Sequence, residues 1–216
     1  MLKTAIILGA SGLTGSLLLQ QLLEDDRYDC IKLFGRSKID VDHKKVQQFN
    51  GDLLRLETFT EDFKGDEVYC CIGTTKKKTP NEEQYRKIDF GIPVAAAELC
   101  KQNGINTLVI ISSVGANEKS SSFYLRTKGE MENAVLERKI PNTHILRPSL
   151  IVGNRNEHRG GEKFSIAMMK IFNPILFGGM KKYRSIKAGK ITQAMIKLAN
   201  SESKKHIFQS DEIQAL

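Results

Sequence analysis

An α/β fold built on a doubly wound parallel sheet is predicted by three features of this 216-residue sequence. Short apolar runs rich in β-branched residues alternate with stretches of helical periodicity along most of the chain. The apolar runs are near-continuous, as strands buried on both faces require. The first run ends in a glycine-rich turn that leads straight into a helix. No tandem repeat or low-complexity tract occurs, and the length suits one domain with a sizeable core.

The elements follow in order. "KTAIILGA" (3–10) is the first buried strand. From Leu13 the apolar positions take helical spacing, with Leu18 above Leu22 and Leu19 above Leu23. "DDRYD" (25–29) turns the chain, and "CIKLFG" (30–35) and "KKVQQFN" (44–50) are the next strands. "LLRLETFTEDF" (53–63) reads as a short amphipathic helix and "DEVYCCIG" (66–73) as a strand. A long helix covers residues 82–102, with Asn103-Gly104 to stop it and Pro93 placed to bend it. "TLVIISS" (107–113) is a strongly β-branched strand, 124–139 a helix, and "THILRPSLIVG" (143–153) a strand. After Pro148 come a polar loop (154–162) with Arg155, Arg159 and Glu162, and the apolar stretch "FSIAMMKIFNPILFGG" (164–179). That stretch suits core, a substrate pocket or a partner surface, with Met168 and Met169 adaptable. A helix at 188–201 follows. No clear linker divides the chain, so residues 1–216 are expected to form a single domain, with 154–216 as a small C-terminal appendage on the substrate side.

Composition narrows the partners. The formal net charge of +8 suits an anionic partner or simply a basic surface. Its densest run, Lys76 to Lys78, reads as a solvated loop. No nucleic-acid-binding motif accompanies the charge, so no nucleic-acid partner is expected. Cys30, Cys70, Cys71 and Cys100 form no C-x-x-C and read as reduced thiols of a cytoplasmic protein. His43, His144, His158 and His206 are scattered with no H-E-x-x-H, so no metal is expected. Residues 4–23 carry no charge, but Gly9, Ser11, Gly12, Thr14, Gly15, Ser16, Gln20 and Gln21 interrupt them. A strand, a turn and a helix explain that segment better than a membrane span. "AIIL" is too short for a good signal-peptide core.

"LGASGLTG" puts Gly9, Gly12 and Gly15 where the first strand becomes the first helix. A tight turn needs one residue without Cβ, the approach of a pyrophosphate a second, and close helix–strand packing a third. The helix N-terminus then offers free N–H groups to the phosphates. The pattern points to a dinucleotide. An NAD site places a carboxylate about 20 residues on, at the end of the second strand. Here "LFGRSK" stands instead, and Arg36 and Lys38 suit the 2′-phosphate of NADP.

Ser112 and Ser113 close the strand "TLVIISS", at the edge where α/β sheets bind ligands. Tyr124 follows, with Lys128 four residues later on the same helix face. Reducing a carbonyl needs hydride at carbon and a proton at oxygen. Tyrosine can give the proton, its free pKa of about 10 being lowered by a nearby ammonium. A serine hydroxyl can steady the developing oxyanion. The spacing Tyr-x-x-x-Lys also occurs at Tyr28/Lys32 and Tyr183/Lys187, but neither follows a serine-ended strand.

"GASGLTG", "LFGRS", "CCIGTT", "IISSVGA", "YLRTK" and "LRPSLIVG", in this order, resemble the short-chain dehydrogenase/reductases. Within that family the chain is similar to atypical NADP-binding members, the Tat-interactive-protein group of oxidoreductases. The resemblance implies a Rossmann-like doubly wound parallel sheet and an NADP(H) cofactor. It places Gly9, Ser11, Gly12, Leu13, Thr14 and Gly15 at the pyrophosphate and Arg36 at the 2′-phosphate. Asp52 and Leu53 would border the adenine, and Gly73, Thr74 and Thr75 would pass along the cofactor. Tyr124 would be the acid/base, with Lys128 holding the ribose and tuning it. The segment 147–151, with Pro148, Leu150 and Ile151, would lie near the nicotinamide. Ser113 would be the carbonyl-binding serine, with Ser112 as the alternative.

The serine-to-tyrosine gap is shorter than in many members, which implies a short substrate loop. The tail after Pro148 is short beside that of sugar-nucleotide epimerases, which argues against a large nucleotide-sugar substrate. Two readings of function follow: an NADP(H)-dependent oxidoreductase for a small carbonyl or alcohol, or an NADP(H)-binding redox-sensing module with little turnover. A protein partner or homo-oligomer is compatible with either.

Overall fold

The computed structural model describes residues 2–153 and 178–216. In chain order the strands are β1 (Lys3–Leu8), β2 (Tyr28–Gly35), β3 (Val46–Asn50), β4 (Glu67–Cys70), β5 (Thr107–Ile111), β6 (Asn142–Arg147), β7 (Ile151–Val152), β8 (Ile186–Lys187) and β9 (Ile207–Gln209). The helices are α1 (Leu13–Glu24), α2 (Glu82–Arg86), α3 (Ile92–Gln102), α4 (Phe123–Leu136), α5 (Ala188–Ala199) and α6 (Ser210–Ala215). Seven strands form one parallel sheet in the order β3-β2-β1-β4-β5-β6-β9, and β7 pairs with β8 separately.

Alternation along the strands divides the core between two helical layers. Ala5, Ile7, Tyr69 and Val109 face α1 and α5 with Leu18, Leu22, Ile191 and Met195. Ile6, Leu8, Val68 and Ile110 face the opposite layer with Ala96, Leu99, Met131 and Val135. Burying each such Ile or Leu contributes about 1.5–3 kcal/mol. The chain winds outward from β1 through β2 to β3, then crosses back to β4 and continues the other way. Such a reversal of winding is where an open α/β sheet binds its ligand, in the crevice expected at the carboxyl ends of β1 and β4.

Three elements differ from expectation. The segment expected as a helix over 53–63 forms 3₁₀ turns at Leu53–Phe59, kinked at Arg55. Its buried residues, Leu53 and Leu56, stand three apart, which suits a three-residue turn. The long helix at 82–102 is divided by a π-turn at Lys87–Gly91. Pro93 has no N–H for the Asp89 carbonyl four residues back, and its ring crowds that carbonyl. The wider turn absorbs this misfit. The strand expected over 143–153 stops at Arg147, where Pro148 can donate nothing to a ladder, and its last residues form β7.

The C-terminal segment 186–216 packs on the sheet. Helix α5 lies against α1, β9 joins β6, and α6 closes the chain. Sequence periodicity predicts no element over residues 207–215, where β9 and α6 form. The loop at 154–162 and nearly all of the apolar stretch at 164–179 lie outside the described residues.

Candidate active site

The glycine turn is built as an anion cradle. Gly9 has φ +89°, and a Cβ there would press on Ile72 and on the Cys71 carbonyl. Gly12 donates its N–H to the Gly9 carbonyl at 3.1 Å and becomes the N-cap of α1. A Cβ at Gly15 would lie 2.1 Å from the Gly9 oxygen, so only glycine lets α1 pack this close. No side chain caps α1, and its first turn holds no carboxylate. Its N–H groups therefore stay available to an anion. Ser11 and Gly12 are exposed, Leu13 is half-buried, and Thr14 and Gly15 are buried.

Arg36 stands exposed just past β2 and makes no ion pair among the described residues. No carboxylate ends β2. Asp52 accepts from Leu54 N–H at 3.0 Å and so caps the 3₁₀ turn, while Leu53 is buried beneath it. Past β4, Gly73 is exposed, and Thr74 and Thr75 are half-buried. These residues fit a phosphorylated dinucleotide: an open helix end, a turn with glycine at positions 9, 12 and 15, and a guanidinium with no ion pair among the described residues.

At the other end of the crevice, α4 starts at Phe123, with Ser122 as N-cap. Tyr124 lies in its first turn and is 36% exposed, while Lys128, one turn on, is only 4% exposed. Lys128 Nζ lies 3.0 Å from Asp89 Oδ1. Burial works against the ammonium. The Asp89 carboxylate outweighs it, with help from Tyr124, and holds Lys128 above the usual lysine range. Asp89 also accepts the Thr74 N–H at 2.7 Å through Oδ2. One carboxylate thus joins Lys128 to the loop after β4, and the π-turn carries it.

Ser113 is tied to the same helix by a short loop. Its carbonyl accepts from Ala116, and Asn117 donates to the Leu125 carbonyl at 3.0 Å. Gly129 lets α4 seat against this loop, since a Cβ there would lie 2.3 Å from the Asn117 backbone. Among the described residues, the Ser113 hydroxyl has only a 3.3 Å contact with the carbonyl of Val114. Ser112 is buried and donates to Glu132 Oε1 at 2.5 Å. Pro148 is buried, and Leu150 and Ile151 are half-buried. Gly153 brings the chain after β7 against Leu13, so this segment overlies the glycine turn.

The other two tyrosine–lysine pairs lie elsewhere. Tyr28 is buried at the amino end of β2 and donates to Glu67 at 2.7 Å. Burial and the Glu67 carboxylate raise its pKa, so it holds its proton. Tyr183 ends an exposed 3₁₀ turn, and Lys187 lies on β8. An open surface depression bordered by Leu2, Glu24 and Arg27 also lies at the amino ends of the strands, away from the glycine turn.

Three residues of the site escaped the sequence reading in their roles: Asp89, Glu132 and Arg147. Glu132 continues the Tyr124–Lys128 stripe by four residues, a signal available from spacing. Asp89 carried none, because its inward aim depends on the π-turn.

A family profile described as NAD(P)H-binding matches residues 9–161. Among curated proteins, the FMP52 mitochondrial protein of Debaryomyces hansenii is 34% identical over 159 residues, 73% of this chain and 70% of that protein. Rat HTATIP2 is 34% identical over 164 residues, 74% of this chain and 67% of that protein. Among solved structures, the Bordetella bronchiseptica enzyme WbmH in complex with NAD+ shares the fold at TM-score 0.74 and 14% identity, covering 97% of this chain and 75% of that one. A short-chain dehydrogenase/reductase from Veillonella parvula matches at TM-score 0.64 and 14% identity, covering 94% and 89%. The cytoplasmic expectation is corrected by these relatives, several of which are named as mitochondrial proteins. The cysteines are free, with Cys70 and Cys100 buried but Cys30 and Cys71 only half-buried, and free thiols fit any reducing compartment rather than the cytoplasm alone.

Proposed function

The chain belongs to the NAD(P)H-binding family, and on that premise we propose that it is an NADP(H)-dependent oxidoreductase of the short-chain dehydrogenase/reductase type. Its substrate is a small carbonyl or alcohol. The observation that carries this reading is the buried Lys128 ammonium one helical turn below the exposed Tyr124, beside the crevice that the glycine turn borders.

When bound, NADPH supplies a hydride to the carbonyl carbon. Gly9, Ser11, Gly12, Leu13, Thr14 and Gly15 would hold its pyrophosphate, and Arg36 its 2′-phosphate. Gly73, Thr74, Thr75, Pro148, Leu150 and Ile151 would line its path. The Ser113 hydroxyl donates a hydrogen bond to the substrate oxygen, and Tyr124 gives that oxygen its proton. Lys128, kept charged by Asp89, favours the phenolate left behind. In the reverse direction the phenolate takes the alcohol proton. The mitochondrial names of the relatives carry over as the proposed location.

Replacing Tyr124 with Phe tests the assignment. NADPH oxidation with a reducible aldehyde, ketone or quinone is expected to fall on the order of 10²–10⁴-fold. Affinity for NADPH should persist, because the hydroxyl serves the substrate. Turnover equal to that of the unaltered protein would remove Tyr124 as the acid/base. One observation favours a second reading, a redox-sensing module with little turnover: Asp89 neutralises the charge that would act on Tyr124. Tight NADPH binding with no oxidation by any carbonyl would support it.

A further inference from the structure

Glu132 lies on α4 one turn beyond Lys128, and its side chain is 2% exposed. Its carboxylate is met from two strands. Arg147, the last residue of β6, lays its guanidinium across it, with Nε at 2.9 Å from Oε1 and 3.2 Å from Oε2 and Nη2 also on Oε2. Ser112, just past β5, donates its hydroxyl to Oε1 at 2.5 Å. Two backbone bonds close the same corner: Ser112 N–H to the Leu146 carbonyl at 2.7 Å, and Val114 N–H to the Pro148 carbonyl at 3.0 Å.

Ser113 therefore lies between two pinned residues. Consecutive side chains of an extended segment project to opposite sides. Holding Ser112 on Glu132 turns Ser113 away from Glu132 and leaves its hydroxyl nearly free. A buried ion pair is a poor way to gain stability, because desolvation offsets most of its attraction and apolar packing would serve as well. What a two-pronged charged clamp supplies is fixed geometry.

We propose that Glu132 is a positioning residue: it clamps the carboxyl ends of β5 and β6 to α4 and so fixes Ser113 and Pro148 relative to Tyr124. This rests on the reading of Tyr124 as the acid/base. Glu132→Gln keeps the shape but removes the charge that draws Arg147 and Ser112. With NADPH and 9,10-phenanthrenequinone as the probe carbonyl, kcat is expected to fall on the order of 10²-fold, the scale of a small misplacement. KM for NADPH should rise far less than kcat falls. Amide hydrogen exchange at Ser112 and Val114 should quicken, while β1 and β2 stay protected. Ser112→Ala, which removes one arm and strands no charge, should show the same exchange pattern with a smaller fall in kcat, and it decides the matter if Glu132→Gln does not fold. Unchanged kcat, or unchanged exchange at those two amides, overturns the proposal. So does a fall in kcat that merely tracks lost NADPH binding or lost folded protein. If the unaltered protein reduces no carbonyl, the acid/base reading fails on its own, and exchange at the two amides alone upholds or overturns the clamp.

Discussion

Lys128 keeps a proton in the protein interior because Asp89 meets it there. Its pKa is raised, so this contribution to stability is fully present below the ordinary lysine value of 10.5 and is lost only as pH rises through the higher folded value. Lys128 therefore stays charged throughout the neutral range. Arg36 is the opposite case, exposed and without an ion pair among the described residues. A guanidinium on a 2′-phosphate is worth roughly 1.5–3 kcal/mol, or about tenfold to a hundredfold in affinity. Arg36→Ala should weaken NADPH by that factor and NADH far less, as fluorescence titration with both cofactors would measure. Equal losses would remove the 2′-phosphate assignment. The placement of Gly9, Gly12 and Gly15 at the strand–helix turn and of Tyr124 and Lys128 one turn apart on a helix was legible in the sequence, because it depends on neighbours close in the chain. Asp89 was not: it stands 39 residues from Lys128, and nothing in "KIDFG" marks it as inward-facing.

The elements that departed from expectation are those where one residue overrides a periodic pattern. Pro93 forces the π-turn that turns Asp89 inward, and Pro148 ends β6 so that the chain passes over the glycine turn. Strand β9 was illegible because three residues, "IFQ", carry too little periodicity to stand out. It is fastened to β6 by histidines, with His206 Nδ1 at 2.9 Å from the Thr143 carbonyl and His144 Nδ1 at 3.2 Å from that of Lys205. Burial, then the nearby His206, hold His144 below the ordinary histidine value of 6.5, although the Lys205 carbonyl opposes them. The unfolded chain takes up the His144 proton first, so stability present above 6.5 is lost as pH falls below it. Denaturant midpoints should therefore drop on mild acidification, and drop less in His144→Gln, which does not titrate. An equal drop in both would clear His144 of the effect.

At the scale of the molecule, the order β3-β2-β1-β4-β5-β6-β9 makes one site from two distant parts of the sequence. The glycine turn leaves β1, the serines leave β5, and the reversal of winding beside β1 opens the crevice that serves both. This plan could be read in advance, because strands buried on both faces announce themselves as unbroken apolar runs. The contacts that fix its geometry could not, since Ser112, Glu132 and Arg147 meet only once the sheet has formed. The net charge of +8 favours the approach of an anionic cofactor to the whole surface. Among the described residues, no helix is long and apolar enough to cross a membrane. The central claim is that this crevice passes a hydride to a carbonyl while Tyr124 delivers the proton. NADPH carrying deuterium at both positions of nicotinamide C4, given with a reducible carbonyl, tests it by mass spectrometry of the alcohol formed. Deuterium on the carbinol carbon, with product nearly lost in Tyr124→Phe, is the result expected. NADPH consumed without deuterium in the alcohol, or undiminished labelled product from Tyr124→Phe, would contradict it.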